Sequence, residues 1–216
     1  MTSPRPLDRT AGWLGVATLV ALLASEAALT LPDVDATPSA VAAFYAAHRV
    51  VIVVLQVVGF AASTMLALFA WRLRTVRRGV AVAGLVMAAS TLVPGIITLV
   101  LALTADPRHP EAAGHLNQVE PRGDDVLFAG VLVFALTVAV LLWRRPPWLG
   151  VLAAAVALCC LARLGWEALG RDGGVPGLLA PLSFLVLIAA LSWLAFRGYP
   201  VGPAARVSES ARPPAP

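Results

Sequence analysis

The sequence predicts an all-α fold, a polytopic transmembrane bundle of six helices joined by short loops. Three observations predict it. The 216-residue chain is 59% hydrophobic and only 13% charged, whereas a water-soluble domain is usually about a quarter charged. Six segments each offer the roughly 20 mostly apolar residues that a helix needs to cross a hydrocarbon core about 30 Å thick. The 16 basic residues are all arginine and fall mostly at alternate ends of those segments. What remains is tails and loops, the longest from Thr104 to Asp125, so no soluble domain fits beside the helices.

The first span, Trp13–Leu31, follows an amino tail (residues 1–12) carrying Arg5 and Arg9. Ser25-Glu26-Ala27 imitates a signal-peptide cleavage site, but the apolar run continues through Leu29 and Leu31, which favours a retained span. Thr37 can cap the next helix, with Pro38 at its first position, where a missing N–H does no harm. That helix either runs straight into the second span, Val50–Ala70, or lies in the interface and bends near Arg49. Phe44 and Tyr45 suit the aromatic belt at that level. Within the span, Gln56, Gly59, Ser63 and Thr64 read as close helix packing with an interhelical hydrogen bond.

The third span, Val80–Leu103, holds Pro94 and Gly95 near its middle. Proline frees a carbonyl and kinks a helix, so this pair is the candidate hinge, with Ser90 and Thr91 as hydroxyls that re-satisfy the backbone. The loop 104–125 reads as a solvated connector. It contains His109, Glu111, His115 and Glu120, but neither His-Glu-x-x-His nor a cysteine ligand, and no metal is assigned to it. The fourth and fifth spans are Val126–Trp143 and Trp148–Leu169. Cys159 and Cys160, adjacent in the fifth, read as small packing residues and not as a redox pair. The sixth span, Val175–Phe196, has Pro176 and Pro181 in its opening turns. Residues 197–216, rich in proline and small residues, are expected to be disordered.

Orientation follows from the arginines. Eleven fall on the side of the two tails, the second-to-third connection and the fourth-to-fifth connection; Arg49, Arg108, Arg122 and Arg171 fall opposite, and Arg163 lies within a span. This predicts both termini in the cytoplasm and a multi-pass protein of the plasma (inner) membrane. The basic rim then faces anionic lipid headgroups, which accounts for the +4 net charge without a nucleic-acid partner. With no lysine, Schiff-base chemistry, a Walker-type phosphate site and pyridoxal attachment are all excluded. No cofactor is expected.

Ionisable groups inside a span cost a few kcal/mol and mark the first places to look for function, about 2.5–3.5 kcal/mol at a helix centre. They are Glu26, Arg163 and Glu167. Arg163, Glu167 and Arg171 stand at i, i+4 and i+8, one ladder on one helix face. On that ladder alone, Glu167→Ala should strand Arg163, while Arg163→Leu with Glu167→Leu should be tolerated. Glu26 has no partner on its own helix, so it is either protonated or meets a cation from elsewhere, with Arg163, Arg49 and His48 the candidates at comparable depth. These five residues, Glu26, His48, Arg49, Arg163 and Glu167, form the candidate polar cluster facing the outer side.

The Phe44-Tyr45-x-x-His48-Arg49 junction, after the acidic Asp33–Asp35 stretch and before an alanine-rich span, resembles a pattern in uncharacterised multi-pass membrane proteins of GC-rich bacteria. The resemblance covers Trp13 to Arg74 and implies a helical integral membrane protein; it carries no catalytic residues. The function expected from the sequence is a non-enzymatic scaffold or a subunit of a membrane assembly, partnered by another membrane protein or a second copy. The alternatives are a small transporter or channel, and an outer-leaflet enzyme working from the polar cluster.

Overall fold

The structure, a computed structural model, describes residues 9–27, 29–143, 146–170 and 174–198, apart from the side chains of Glu26 and Ala27. Seven α-helices follow one another: α1 (Arg9–Ala27), α2 (Pro38–Arg72), α3 (Arg78–Ser90), α4 (Leu92–Thr104), α5 (Pro110–Leu142), α6 (Pro147–Ala168) and α7 (Gly174–Phe196). Among the described residues there is no strand. The segment α3–α4 acts as one span. With α2, α5, α6 and α7 it makes five helices long and apolar enough to cross a membrane, and α1 is a shorter apolar helix beside them. Val50, Val140, Leu158, Val175 and Leu178 point outward, each at least 67% exposed. Apolar surface on this scale suits lipid and not water. The chain is a multi-pass membrane protein.

Successive spans alternate in direction, with α3 and α4 running the same way as one span. One end of the bundle carries Arg9, Arg72, Arg74, Arg77, Arg78 and Arg197; the other carries Asp33, Asp35, Asp106 and Glu111. At the arginine-rich end, the Arg74 guanidinium lies 4.2 Å from the Trp71 ring and that of Arg197 4.7 Å from the Trp193 ring. Such pairs suit a membrane interface, where one side of each group is apolar and the other wet.

Several boundaries differ from those the sequence predicts. The first helix ends at Ala27 and not at Leu31. Pro32 disfavours helical backbone at Leu31, and a turn closed by Ala36 N–H on the Asp33 carbonyl at 3.0 Å redirects the chain. Leu29 and Leu31 instead pack on a small core of Val41, Ala42, Tyr45, Ile52, Leu101, Ala102, Ala105 and Ala113 at the acidic end. Of the two paths open to the junction, the straight one is taken. Thr37 caps through the Ala40 N–H, Pro38 stands in the first turn, and α2 continues unbroken for 35 residues, roughly 50 Å and well beyond the hydrocarbon core. The expected connector 104–125 is largely helix: α5 begins at Pro110, with proline again in the first turn, and passes through Pro121. Its first turns pack on the start of α2, where a Cβ on Gly114 would lie 2.8–3.3 Å from Pro38. Asn117 Nδ2 donates to the Asp33 carbonyl at 3.1 Å.

Where a kink is expected in the third span, α3 and α4 part at a single residue, Thr91, whose N–H still donates to the Met87 carbonyl at 3.1 Å. Pro94 has no N–H for the Ser90 carbonyl, so the helix is interrupted one turn before it. The main core joins α2, α3, α5, α6 and α7 through Leu66, Met87, Phe134, Leu149 and Leu187, with buried Cys160 as a packing residue. Arg5, Arg144, Arg145, Arg171 and the tail beyond residue 198 lie outside the described residues.

Candidate functional site

A cavity of about 610 Å³ opens inside the half of the bundle nearer the acidic end. Leu22, Leu55, Phe60, Phe184 and Leu185 supply its apolar wall; Gln56, Ser63, Thr91, Thr98, Glu120, Asp124 and Arg163 supply polar groups. Pro94 and Gly95 also line it, so the candidate hinge is part of its wall. This volume is in the range of ligand pockets, which are mostly apolar with a few placed polar groups.

The polar wall depends on α5. Its turns carry Glu120, Asp124 and Phe128 at i, i+4 and i+8, one face of the helix. Gly123 lets α5 approach the kink, since a Cβ there would lie 3.1 Å from the Pro94 Cα. Glu120 then accepts from Thr98 Oγ1 at 3.2 Å. Across the cavity, Thr91 Oγ1 donates to Ser63 Oγ at 2.8 Å, the interhelical hydrogen bond expected of this part of span two. Gly59 departs from its expected packing role. A Cβ there would meet only Gln56 Oε1, at 4.0 Å, because that face of α2 looks into the cavity.

Arg163 holds the site together. Its Nε donates to Glu167 Oε1 at 3.1 Å, the first rung of the predicted ladder. Its second contact crosses helices, from a guanidinium nitrogen to Asp124 Oδ2 at 3.3 Å. The guanidinium also lies 3.8 Å from the Phe128 ring centroid. Asp125 sets its carboxyl group against that of Glu167. Asp125 Oδ1 and Glu167 Oε2 are enclosed without a hydrogen-bond donor. Enclosed oxygens of this kind call for a donor, a proton or a cation.

The other predicted members are dispersed. His48 Nδ1 donates to the Phe44 carbonyl at 2.9 Å, with its ring centroid 4.5 Å from that of Phe44. Arg49 donates to the Ala105 carbonyl at 2.9 Å, tying α2 to the end of α4. The Glu26 side chain and Arg171 lie outside the described residues. Of the five candidates, the structure therefore brings Arg163 and Glu167 together and turns His48 and Arg49 to backbone carbonyls. Asp124 and Asp125 were missed, and Glu120 was placed in a solvated connector, because residues 104–125 read as a loop. The i, i+4, i+8 spacing of Glu120, Asp124 and Phe128 was the available signal. Of the connector's His109, Glu111, His115 and Glu120, Glu120 alone is among the residues lining the cavity. Among the described residues, no three His, Cys, Asp or Glu side chains are grouped as a metal ion requires.

No protein-family model, no curated protein and no solved structure matches the chain. Fold and site together define a class: a multi-pass helical membrane protein with a charged pocket inside its bundle.

Proposed function

We propose that the chain is a bacterial plasma-membrane protein that binds a small amphiphilic molecule in this pocket, as a carrier or as the binding subunit of a membrane assembly. One observation carries the reading: a cavity of about 610 Å³ has a guanidinium and two carboxyl groups in an otherwise largely apolar wall. A pure scaffold has no use for such a wall, because ionisable groups within a span cost free energy on insertion. The α3–α4 break at the cavity edge favours a carrier, since a helix interruption can change shape with little loss of packing. The enzyme alternative gains less support, because His48, its natural proton carrier, is not among the residues lining the cavity.

Gly59→Phe tests this reading. A side chain at Gly59 enters open space, and replacing a helical glycine favours the helix by up to about 1 kcal/mol. The expected result in native mass spectra, from mild detergent, is one retained small molecule or lipid per wild-type chain. Gly59→Phe should lose it at unchanged thermal stability. A wild-type chain that retains nothing but carries a second polypeptide at fixed stoichiometry would return the function to the scaffold reading.

The proposed topology has both termini in the cytoplasm, following the arginine-rich end. With Cys159 and Cys160 replaced by alanine, a cysteine at Ser39 should react with an impermeant maleimide on intact cells. One at Thr75 should react only after permeabilisation. The reverse pattern would invert the protein.

A further inference from the structure

We propose that the pocket takes an amphiphilic organic cation, its charged head beside Asp124 and its apolar body between Phe60 and Phe184. The inference rests on the pocket-binding reading above and adds the sign of the ligand's charge.

The balance of fixed charge carries it. Among the described residues, Asp124 and Glu167 both engage the guanidinium of Arg163, and Asp125 sets its carboxyl group against that of Glu167. In a bundle surrounded by lipid, an excess of carboxyl groups is costly unless a cation or protons offset it. Arg163 is largely engaged: Nε donates to Glu167 and one terminal nitrogen to Asp124, Phe128 lies against its face, and its side chain is 12% exposed. An anionic ligand therefore finds little free positive surface. Asp124 is open by comparison, its side chain 44% exposed and only Oδ2 engaged by Arg163.

The type of cation follows from the rest of the wall. A bare metal ion needs several oxygen or nitrogen ligands around one point, and no such group exists among the described residues. An organic ammonium or phosphonium needs only one or two carboxylates and aromatic faces for its charge, with apolar surface for its body. Phe60 and Phe184 offer those faces. Gly95 lets Phe60 lie close to α4, where a Cβ would come within 3.0 Å of its ring.

Three probes of nearly one shape separate the possibilities: tetraphenylphosphonium, neutral triphenylphosphine oxide and tetraphenylborate. Each is titrated into the full chain in lipid nanodiscs, with empty nanodiscs as background. The expected result is saturable binding of tetraphenylphosphonium at one per chain, with the borate at least about tenfold weaker, the effect of one desolvated charge pair. Asp124→Asn should weaken the phosphonium by a similar factor and leave the phosphine oxide unchanged. The comparison of probes on the unaltered chain does not depend on that variant folding. Saturable binding of the borate or the oxide as tight as the phosphonium would overturn the cation assignment and leave the pocket standing. No saturable binding of any probe to wild type would overturn the cation assignment, and the pocket reading falls with it only if native mass spectra of the wild-type chain also show no retained small molecule.

Discussion

Arg163→Leu is expected to destabilise the bundle by about 3–5 kcal/mol, the range for stranding a buried partner. The lower figure is favoured because the Asp124 side chain is 44% exposed. Removing Arg163 strands Glu167 and Asp124 at once and strips a cation from the Phe128 ring. The helical ladder alone suggests that Arg163→Leu with Glu167→Leu is harmless, since both members of a pair leave together. The structure reverses that expectation. Asp124 remains, now without the Arg163 guanidinium, and Asp125 loses the Glu167 carboxyl it faces, so the double variant should stay well below wild type. Adding Asp124→Asn and Asp125→Asn should recover most of the loss. Unfolding midpoints in mixed micelles for the single, double and quadruple variants check this series. A double variant as stable as wild type would show that the contact to Asp124 contributes nothing.

Gly130→Val should destabilise by about 1–3 kcal/mol, the usual cost of overpacking a fitted interface. At Gly130 a new Cβ would lie 2.8 Å from the Ser90 Cβ and 3.3 Å from the Met87 Cα, so the α3 backbone must move. Ser90 has little room to yield, because it is buried and its hydroxyl donates to the Met87 carbonyl at 2.7 Å. Gly59→Phe, a larger change at a glycine of the same bundle, should leave stability unaltered. Helix propensity gives no reason for the two glycines to differ in this way; packing predicts opposite outcomes. The same micelle unfolding assay decides, and a Gly130→Val protein no less stable than Gly59→Phe would mean that α3 and α5 are not in this close contact.

How far the sequence could be read depends on the kind of signal. Apolar runs of about 20 residues are strong, because every polar interruption within lipid is costly. The central parts of all six apolar segments were therefore legible, as were the Thr37-Pro38 helix start and the break ahead of Pro94. Helix ends were not. Leu29 and Leu31 are apolar enough to extend a span, and only the turn after Pro32 takes them elsewhere. Conversely, Glu111 to Asp125 is polar enough to read as a loop, yet it is helix because α2 extends far enough to pack against it. That contact, between residues more than 70 positions apart, has no local sign.

The sequence by itself determined the class of protein, the apolar helices and the Arg163–Glu167 pair, since hydropathy and i, i+4 spacing act within single helices. Tertiary structure alone decided that Asp124 is the second partner of Arg163, that Gly59 faces space while Gly130 faces backbone, and that His48 and Arg49 serve the backbone and not the pocket. Those facts depend on which faces of different helices meet. In a chain where nearly every helix face is apolar, the pattern of residues along one helix does not select its neighbour; close packing and the few polar contacts between helices do.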